Sequence, residues 1–378
     1  MSQTVSLRQC FADLHDPRRE HGRYHDLWDI LGLTICAVVA GADSWVEVEE
    51  YGHCKLDWLK TFLALPHGIP AHDTLGRVFA LLNPAAFQQC FQEWVNALVE
   101  ATAGRVIAID GKTLRRSFDR ASGQGPLHLI SAWAAANHLT LGQLAVDGQS
   151  NEITAIPELL KIIDVTGAIV TIDALGCQKS IAVPIRAGGG DYVLALKENQ
   201  PTLYADVQQL FLDGLENDFA HVKHHACHTV DEGHGRVEQR YYHVVAVPEE
   251  LAAQHSEWPD WRSVGMVYSE RRVGDQEPSS EVRFFINSLP PKVKTFARAV
   301  RGHWGIEHSL HWVLDVSFRE DESRVRKDHA PENLALVRRL AAALLKQDKS
   351  TKGGIACKRK QAGWDNDYLE QVLGAKLR

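Results

Sequence analysis

Apolar residues recur at every third or fourth position through much of the first hundred residues, which is the spacing of amphipathic helices. The segments with this spacing are Leu27–Val39, Trp58–Leu65 and Phe87–Val99. Asn83–Pro84 ends one predicted helix and begins the next, because proline fits the first turn of a helix but not its interior. The pattern therefore predicts a helical N-terminal domain over residues 1–100.

After residue 100 the spacing of apolar residues changes from that of helices to that of strands. Short runs rich in β-branched residues predict strands at Arg105–Asp110, Leu127–Ala135, Leu139–Asp147, Ala168–Asp173 and Asp191–Leu196. Helical segments follow the third, fourth and fifth strands, at Glu152–Ile163, at Ile181–Ala187 and from Asn199 to Leu212. Strands with short links can pair antiparallel, whereas strands that alternate with helices should pair in parallel. This order is that of the ribonuclease H-like fold, an α/β fold with a mixed sheet flanked by helices, and residues 101–217 would form its first part.

A second β-rich region occupies residues 218–291. Its candidate strands are His221–His225, Val237–Val247, Arg262–Tyr268 and Glu281–Leu289. We predict that this region is an insertion whose strands lie outside the central sheet. Residues 292–349 are helical again and complete the predicted core, and residues 350–378 form a basic C-terminal tail with a short amphipathic piece.

The composition is that of a globular protein. Of 378 residues, 45% are hydrophobic and 24% are charged, which excludes wholesale disorder. The longest uncharged, mostly apolar run, Ile30–Ala42, is too short to cross a bilayer, and the N-terminus lacks the pattern of a signal peptide. Seven scattered cysteines without a CxxC pair fit a reducing compartment. We therefore expect a cytoplasmic protein without a membrane span.

Two acidic residues end predicted strands of the core. Asp110 follows the first strand and Asp173 follows the fourth. A single such residue would be explained as the start of a turn. Two of them on neighbouring central strands would come together, and their like charges would repel unless a divalent cation neutralised them. Carboxylates without a Cys/His set favour Mg²⁺ or Mn²⁺.

A third acid is expected on the helix that follows residue 292. Polar residues four positions apart share one face of this predicted helix: His303, Glu307, His311 and Asp315. The alternative is a solvated polar stripe, although Trp304 and Trp312 flank it and are large apolar groups to leave in water. Glu307 is our first choice as third ligand, with Asp315 and Asp321 as alternates.

A dense cluster of metal-ligating residues lies at the start of the β-rich region. It consists of His221, His224, His225, Cys227 and His228. Such residues can bind zinc. We favour the alternative, a His-rich strand at a solvated sheet edge.

Several motifs together resemble the H-repeat-associated insertion-sequence transposases. The motifs are Asp110-Gly-Lys112, TIDAL at 171–175, LALKENQ at 194–200, GHGRVEQR at 233–240, RGHWGIEHSLHWVLDVSFRED at 301–321 and DPRREHGRYHDLWDILGL at 16–33. They occur in family order and span nearly the whole chain. The family belongs to the bacterial DDE superfamily, whose catalytic core is ribonuclease H-like.

The resemblance implies a DDE transposase that cleaves DNA and transfers strands at insertion-sequence ends. Asp110, Asp173 and Glu307 would be the catalytic triad and the ligands of Mg²⁺ or Mn²⁺, with two ions expected. The wider superfamily often has Tyr, Arg and Lys around the third acid, where this chain has Val300, His303 and Leu314. A stand-alone metal-dependent nuclease and an inactive DNA-binding relic are the alternatives.

The expected partner is double-stranded DNA, both transposon ends and target. The net charge of the chain is −7, but residues 322–360 carry +7. Basic side chains would neutralise phosphates, and Trp304 could stack on an unpaired base, although a core tryptophan is the commoner case. The candidate DNA contacts are Lys112, Arg115, Arg116, Lys197, Arg301, His303, Trp304, Arg338 and Arg339. The resemblance also allows a homodimer and a nucleoid-associated location in a bacterial cytoplasm.

Overall fold

The computed structural model describes residues 6–98, 105–119, 123, 125–146, 151–233 and 235–374. Helices form the N-terminal region, as the apolar spacing predicted. They are α1 (Leu7–Cys10), α2 (Leu27–Val39), α3 (Trp45–Cys54), α4 (Leu56–Leu59), α5 (His72–Leu81) and α6 (Pro84–Leu98). Asp26 begins α2 by accepting a hydrogen bond from the backbone amide of Trp28, and α2 is buried along nearly its whole length. The boundary expected near residue 100 lies outside the described residues.

Five strands and three helices follow in the predicted order. The strands are β1 (Val106–Thr113), β2 (His128–Ala134), β3 (Leu139–Val146), β4 (Ile169–Ile172) and β5 (Asp191–Leu196). The helices are α7 (Glu152–Ile162), α8 (Lys179–Ala187) and α9 (Pro201–Glu216). β1, β2 and β3 pair antiparallel, and β4 pairs in parallel with both β1 and β5. This confirms the ribonuclease H-like mixed sheet, while the division of the chain into domains stays a prediction.

The β-rich region also forms strands, but they are part of the central sheet. β6 (His224–Gly233), β7 (Arg236–Ala246), β8 (Ser263–Val273) and β9 (Ser279–Asn287) extend one sheet of order β3-β2-β1-β4-β5-β9-β8-β7-β6. A short helix, α10 (Glu249–Gln254), connects β7 and β8. The expectation that these strands lie outside the sheet is wrong. β9 pairs antiparallel with β5 and thereby satisfies the backbone groups that an edge strand leaves unpaired.

The helix after the β-rich region crosses the sheet close to β1. It consists of α11 (Val293–Ile306), a π turn (Glu307–His311) and α12 (Trp312–Phe318). A Cβ atom on Gly302 would lie 2.8 Å from Cγ1 of Val106, so the glycine permits a close approach between α11 and β1. This crossing brings the polar face of the helix to the carboxyl end of β4.

The C-terminal region is folded, which corrects the expectation of a tail. α13 (Ala330–Gln347) is followed by α14 (Ile355–Trp364) and α15 (Asn366–Leu373). Arg359 is buried and donates hydrogen bonds to the carbonyl oxygens of Val38 and Ala42 at the end of α2. Cations at a helix C-terminus satisfy free carbonyl groups, so this basic residue stabilises the fold. Across residues 6–98, 105–146 and 151–374, wherever the chain is described, no helix is long and apolar enough to cross a membrane.

Candidate active site

The first two acids lie side by side at one point of the sheet. The parallel pairing of β1 with β4 ends at Ile109 and Ile172, and the next residues along the two strands are Asp110 and Asp173. One carboxylate oxygen of Asp173 accepts hydrogen bonds from the amides of Leu175 and Gly176. Asp173 therefore begins a turn, as the simpler explanation held, and it also lies beside Asp110.

The π turn adds Glu307 and His311 to this pair. Asp110, Asp173 and Glu307 line one cavity of about 240 Å³. His311 Nδ1 lies 3.5 Å from Oδ2 of Asp110 and 4.0 Å from Oε2 of Glu307. One ligand atom from each of Asp110, Glu307 and His311 can be chosen so that all three lie within 4.8 Å of one another. These side chains could hold a metal ion.

Burial and like charge act together on Asp110. Desolvation by burial, together with the negative charges of Glu307, Asp173 and Glu152, raises the pKa of Asp110 to about 8, against a lowering by a hydrogen bond with the backbone of Gly111. Carboxylates placed this close cannot all be ionised without a compensating cation. The donor set and its electrostatics therefore fit a divalent metal ion.

Burial lowers the pKa of two histidines on the same helix face. Desolvation, together with the positive charges of Arg339 and Lys112, lowers the pKa of His311 to about 3. Desolvation also lowers the pKa of His303, whose Nδ1 lies 3.2 Å from Oγ1 of Thr171 on β4. His303 thus contacts the sheet beside the acids. Sequence reasoning placed His311 on this face but did not assign it a role.

Lys112 is not available to DNA, which corrects one candidate contact. Its buried ammonium group donates to Oδ1 of Asp315 at 2.6 Å and to Oδ1 of Asp321 at 2.9 Å. The two alternates for the third ligand therefore neutralise Lys112, and Glu307 remains beside Asp110. Arg115 also contacts Asp321, at 3.1 Å, while most of its side chain is exposed.

Arg338 and Arg339 are also buried, and the expectation that they contact DNA is wrong. Arg339 donates to Oε1 of Glu320 at 3.1 Å, and Arg338 donates to the carbonyl oxygen of Asp43 at 3.3 Å. Helix α13 is enclosed on nearly all sides, so its arginines pair with groups inside the protein. Together with Arg359, these arginines are cations of the positive segment 322–360 that stabilise the fold.

A fourth carboxylate, missed by the sequence reasoning, lies near Asp110. Glu152 begins α7, after the N-cap Asn151, and its Oε1 shares a hydrogen bond of 2.6 Å with Nε2 of His128. Nδ1 of His128 lies 2.8 Å from Oγ1 of Thr113. A Cβ atom on Gly111 would lie 2.3 Å from Oε1 of Glu152, so glycine lets Glu152 approach the strand this closely. The glycine after Asp110 was the one signal in the sequence for such a close neighbour.

A groove of about 520 Å³ continues from the acids along the ends of β5 and β9. Its lining includes Asp173, Lys197, Asn199 and Arg283. The guanidinium carbon of Arg283 lies 4.4 Å from the centre of the Trp304 ring, which is 38% exposed. Arg301, farther along α11, pairs with Asp231 of β6 at 2.9 Å. Arg283 was missed because nothing in the sequence indicates that β9 joins β5.

Family models match the chain on both sides of residue 100. Residues 8–95 match the family described as DDE_Tnp_1-associated, and residues 101–345 match the family described as Transposase DDE domain. The chain belongs to the transposase DDE family. The resemblance identified from the motifs is thereby confirmed.

Curated relatives of this DDE transposase chain cover nearly its full length. "Putative transposase YncI" of Escherichia coli O157:H7 is 41% identical over 98% of this chain and 95% of that protein. "H repeat-associated putative transposase YhhI" of Escherichia coli K12 is 41% identical over 97% of each chain. Among solved structures, the piggyBac transposase synaptic complex with hairpin DNA overlaps 99% of this chain and 83% of its own, with a TM-score of 0.46 and 8% identity.

The histidine cluster of this transposase-family chain lies at the sheet edge. β6 is the last strand of the sheet and is mostly exposed, which agrees with the interpretation favoured from the sequence. His224 stacks on Phe219 and lies 3.1 Å from His243, and His228 stacks on Tyr241. Wherever the structure describes the chain, the metal-ligating groups that cluster are those of Asp110, Glu307 and His311.

Proposed function

We propose that this protein catalyses metal-dependent DNA cleavage and strand transfer at the ends of an insertion sequence, with Asp110, Asp173 and Glu307 as the catalytic acids. The observation that carries the proposal is the meeting of these three carboxylates in one cavity, where repulsion and burial raise the pKa of Asp110. Membership of the transposase DDE family supports the same reaction class.

Asp110, Asp173 and Glu307 would hold the Mg²⁺ or Mn²⁺ ions, of which we expect two. Such ions, when bound, supply activation of a water or a 3′-hydroxyl and stabilisation of the leaving oxygen. Asp110 lies near both Asp173 and Glu307. The close crossing of the helix over β1 orients Glu307. Two contacts fix the helix beside the acids. Thr171 contacts His303, and Lys112 neutralises Asp315.

The DNA backbone would follow the exposed cations near the acids, because Lys112, Arg338 and Arg339 are buried. Arg115 and Arg116 are exposed next to β1, and Lys197 is exposed beside the acids. Trp304 lines the cavity that contains the acids, and Arg301, on the same helix, pairs with Asp231 of β6. Phosphate contacts of this kind position a duplex without reading its sequence. The flanking groove would accept the nucleotides next to the cleaved bond.

Asp110→Asn tests the proposal, with Mg²⁺-dependent nicking and gel-shift titration of a duplex that carries an insertion-sequence end. The amide keeps the shape of the side chain but removes a ligand charge. We expect nicking to be lost and DNA binding to be kept, because phosphate contacts come from other residues. Glu216→Gln, an exposed change at the end of α9, is the control. Nicking at the wild-type rate by Asp110→Asn would refute the assignment.

A pre-cleaved end supplied to the wild-type protein separates transfer from simple hydrolysis. Joined product is expected from a transposase, whereas release without joining would favour a nuclease. An inactive relic would give neither product. One relative is named as inactive: "Inactive transposase YbfQ" of Escherichia coli K12 is 52% identical over 54 residues, 14% of this chain.

A further inference from the structure

The helix that carries Glu307 is locally widened at the acids. The backbone amide of Trp312 donates to the carbonyl oxygen of Glu307, five residues earlier, whereas an α-helix bonds four residues back. Such π turns are rare and often occur at functional sites. Here the turn lets both Glu307 and His311 face Asp110.

The burial of His311 is not explained by hydrogen bonds of its two ring nitrogen atoms. The residue is 7% exposed, and Nε2 has no hydrogen-bond partner among the described residues. Nδ1 lies 3.5 Å from Oδ2 of Asp110 and 4.0 Å from Oε2 of Glu307, and both distances exceed hydrogen-bond length. Burying an imidazole without partners costs free energy that an apolar residue would avoid. The presence of an imidazole at this position therefore requires another explanation, and its nearness to the carboxylates of Asp110 and Glu307 provides one.

We propose that His311 is a nitrogen ligand of the metal ion held by Asp110 and Glu307, and that the resulting site prefers Mn²⁺ to Mg²⁺. The proposal rests on the proposed function, because it concerns the same metal site. Neighbouring ligands of a six-coordinate ion at about 2.1 Å lie roughly 3 Å apart. The separations of 3.5 and 4.0 Å from Nδ1 of His311 to the two carboxylates are within about 1 Å of this spacing.

The preference follows from ligand chemistry. Mg²⁺ demands oxygen ligands and near-ideal octahedral geometry, and it releases water reluctantly. Imidazole is a ligand of transition metals, and Mn²⁺ is the first-row transition metal that, like Mg²⁺, also suits carboxylate and water ligands. A set of two carboxylates and one imidazole therefore favours Mn²⁺. His308, on the same π turn but exposed, offers a matched control histidine.

Electron paramagnetic resonance of Mn²⁺ added to the full-length protein tests the proposal. Nitrogen-14 modulation in the electron spin echo is expected from one coordinated imidazole in the wild-type protein and in His308→Asn, but not in His311→Asn. We expect the Kd for Mn²⁺ to rise roughly 10- to 100-fold in His311→Asn, as for other losses around metal sites, and the Kd for Mg²⁺ to change less. His311→Gln repeats the test with a different side chain if the first variant fails to fold.

The wild-type spectrum alone can overturn the proposal. Bound Mn²⁺ without nitrogen modulation would show that His311 does not coordinate the ion. If Asp110→Asn then loses both Mn²⁺ and nicking, the proposed function stands and the inference about His311 fails. If the wild-type protein binds no Mn²⁺ at millimolar concentration, both fail. Equal Mn²⁺ and Mg²⁺ affinities in the wild-type protein would refute the metal preference.

Discussion

Arg339 and Glu320 form an ion pair in which neither side chain is exposed, with Nη1 of Arg339 donating to Oε1 of Glu320 at 3.1 Å. The pair connects α13 to the turn after α12 and lies close enough to His311 to lower its pKa. Arg339, one of the cations of the segment 322–360, therefore stabilises the helices that surround the acids. Lys112 on β1 is likewise a buried cation near the acids, and it forms ion pairs with Asp315 and Asp321.

Removing one partner of this pair should be costly. In Glu320→Ala the guanidinium of Arg339 would remain buried without its counter-charge, and we expect a loss of about 3–5 kcal/mol in the free energy of unfolding. Urea denaturation measures it. Glu322→Ala, which breaks an exposed pair with Arg319, should change stability by less than about 1 kcal/mol. Equal effects of the two changes would contradict the assignment of a buried structural pair.

The local pattern of the sequence was enough for most elements and for two of the acids. Short apolar runs rich in β-branched residues predicted the strands, and an acid after each of two such runs predicted Asp110 and Asp173, because both signals lie within a few neighbouring residues. The burial of Arg338 could not be predicted in this way. Its carbonyl partner belongs to Asp43, nearly three hundred residues earlier, and contacts at that separation leave no trace in local periodicity.

Two further features depend on the assembled fold. The apolar run at the end of β9 predicts a buried strand but does not specify that this strand pairs with β5. The π turn needs one hydrogen bond to shift by one residue, and the spacing of His303, Glu307 and Asp315 is equally compatible with a regular helix. Helical spacing nevertheless placed Glu307 on the face that meets Asp110.

Lys197 tests the expected path of the DNA. Its exposed side chain at the end of β5 lies between the acids and the flanking groove. Lys197→Ala should weaken binding of all duplexes alike and reduce the slope of log affinity against log salt by about 1, as for loss of one phosphate contact. Lys161→Ala, an exposed change on α7, is the control. An unchanged salt slope would place the DNA elsewhere.

Glu332 should make stability depend on pH. Burial raises its pKa to about 7, so the folded state holds the proton more tightly than the unfolded chain does. The stabilisation is complete below the unfolded pKa and is lost as the pH rises through about 7, amounting to roughly 3 kcal/mol at most. Urea denaturation between about pH 5 and about pH 8 should show this fall in the wild-type protein and a smaller one in Glu332→Gln. A stability difference between the two proteins that stays constant across this range would contradict the prediction.

Gly111→Ala should impair nicking without unfolding the protein. The new Cβ atom would lie 2.3 Å from Oε1 of Glu152 and 2.6 Å from Nε2 of His128. Both are ends of side chains and can move, so we expect a stability loss of about 1–2 kcal/mol, within the range of single mutations. Their displacement would disturb the surroundings of Asp110, and a misplacement of about 1 Å can lower a reaction rate on the order of 100-fold.

The measurement compares nicking rates at saturating Mg²⁺ with urea denaturation of the same preparations. Gly233→Ala is the matched control, because a Cβ atom there meets nothing within 4 Å and the site is far along the sheet, at the end of the edge strand. That variant should nick at the wild-type rate. If Gly111→Ala does so as well, the packing of Glu152 and His128 against Gly111 has no part in holding Asp110, because the added methyl group must displace at least one of them.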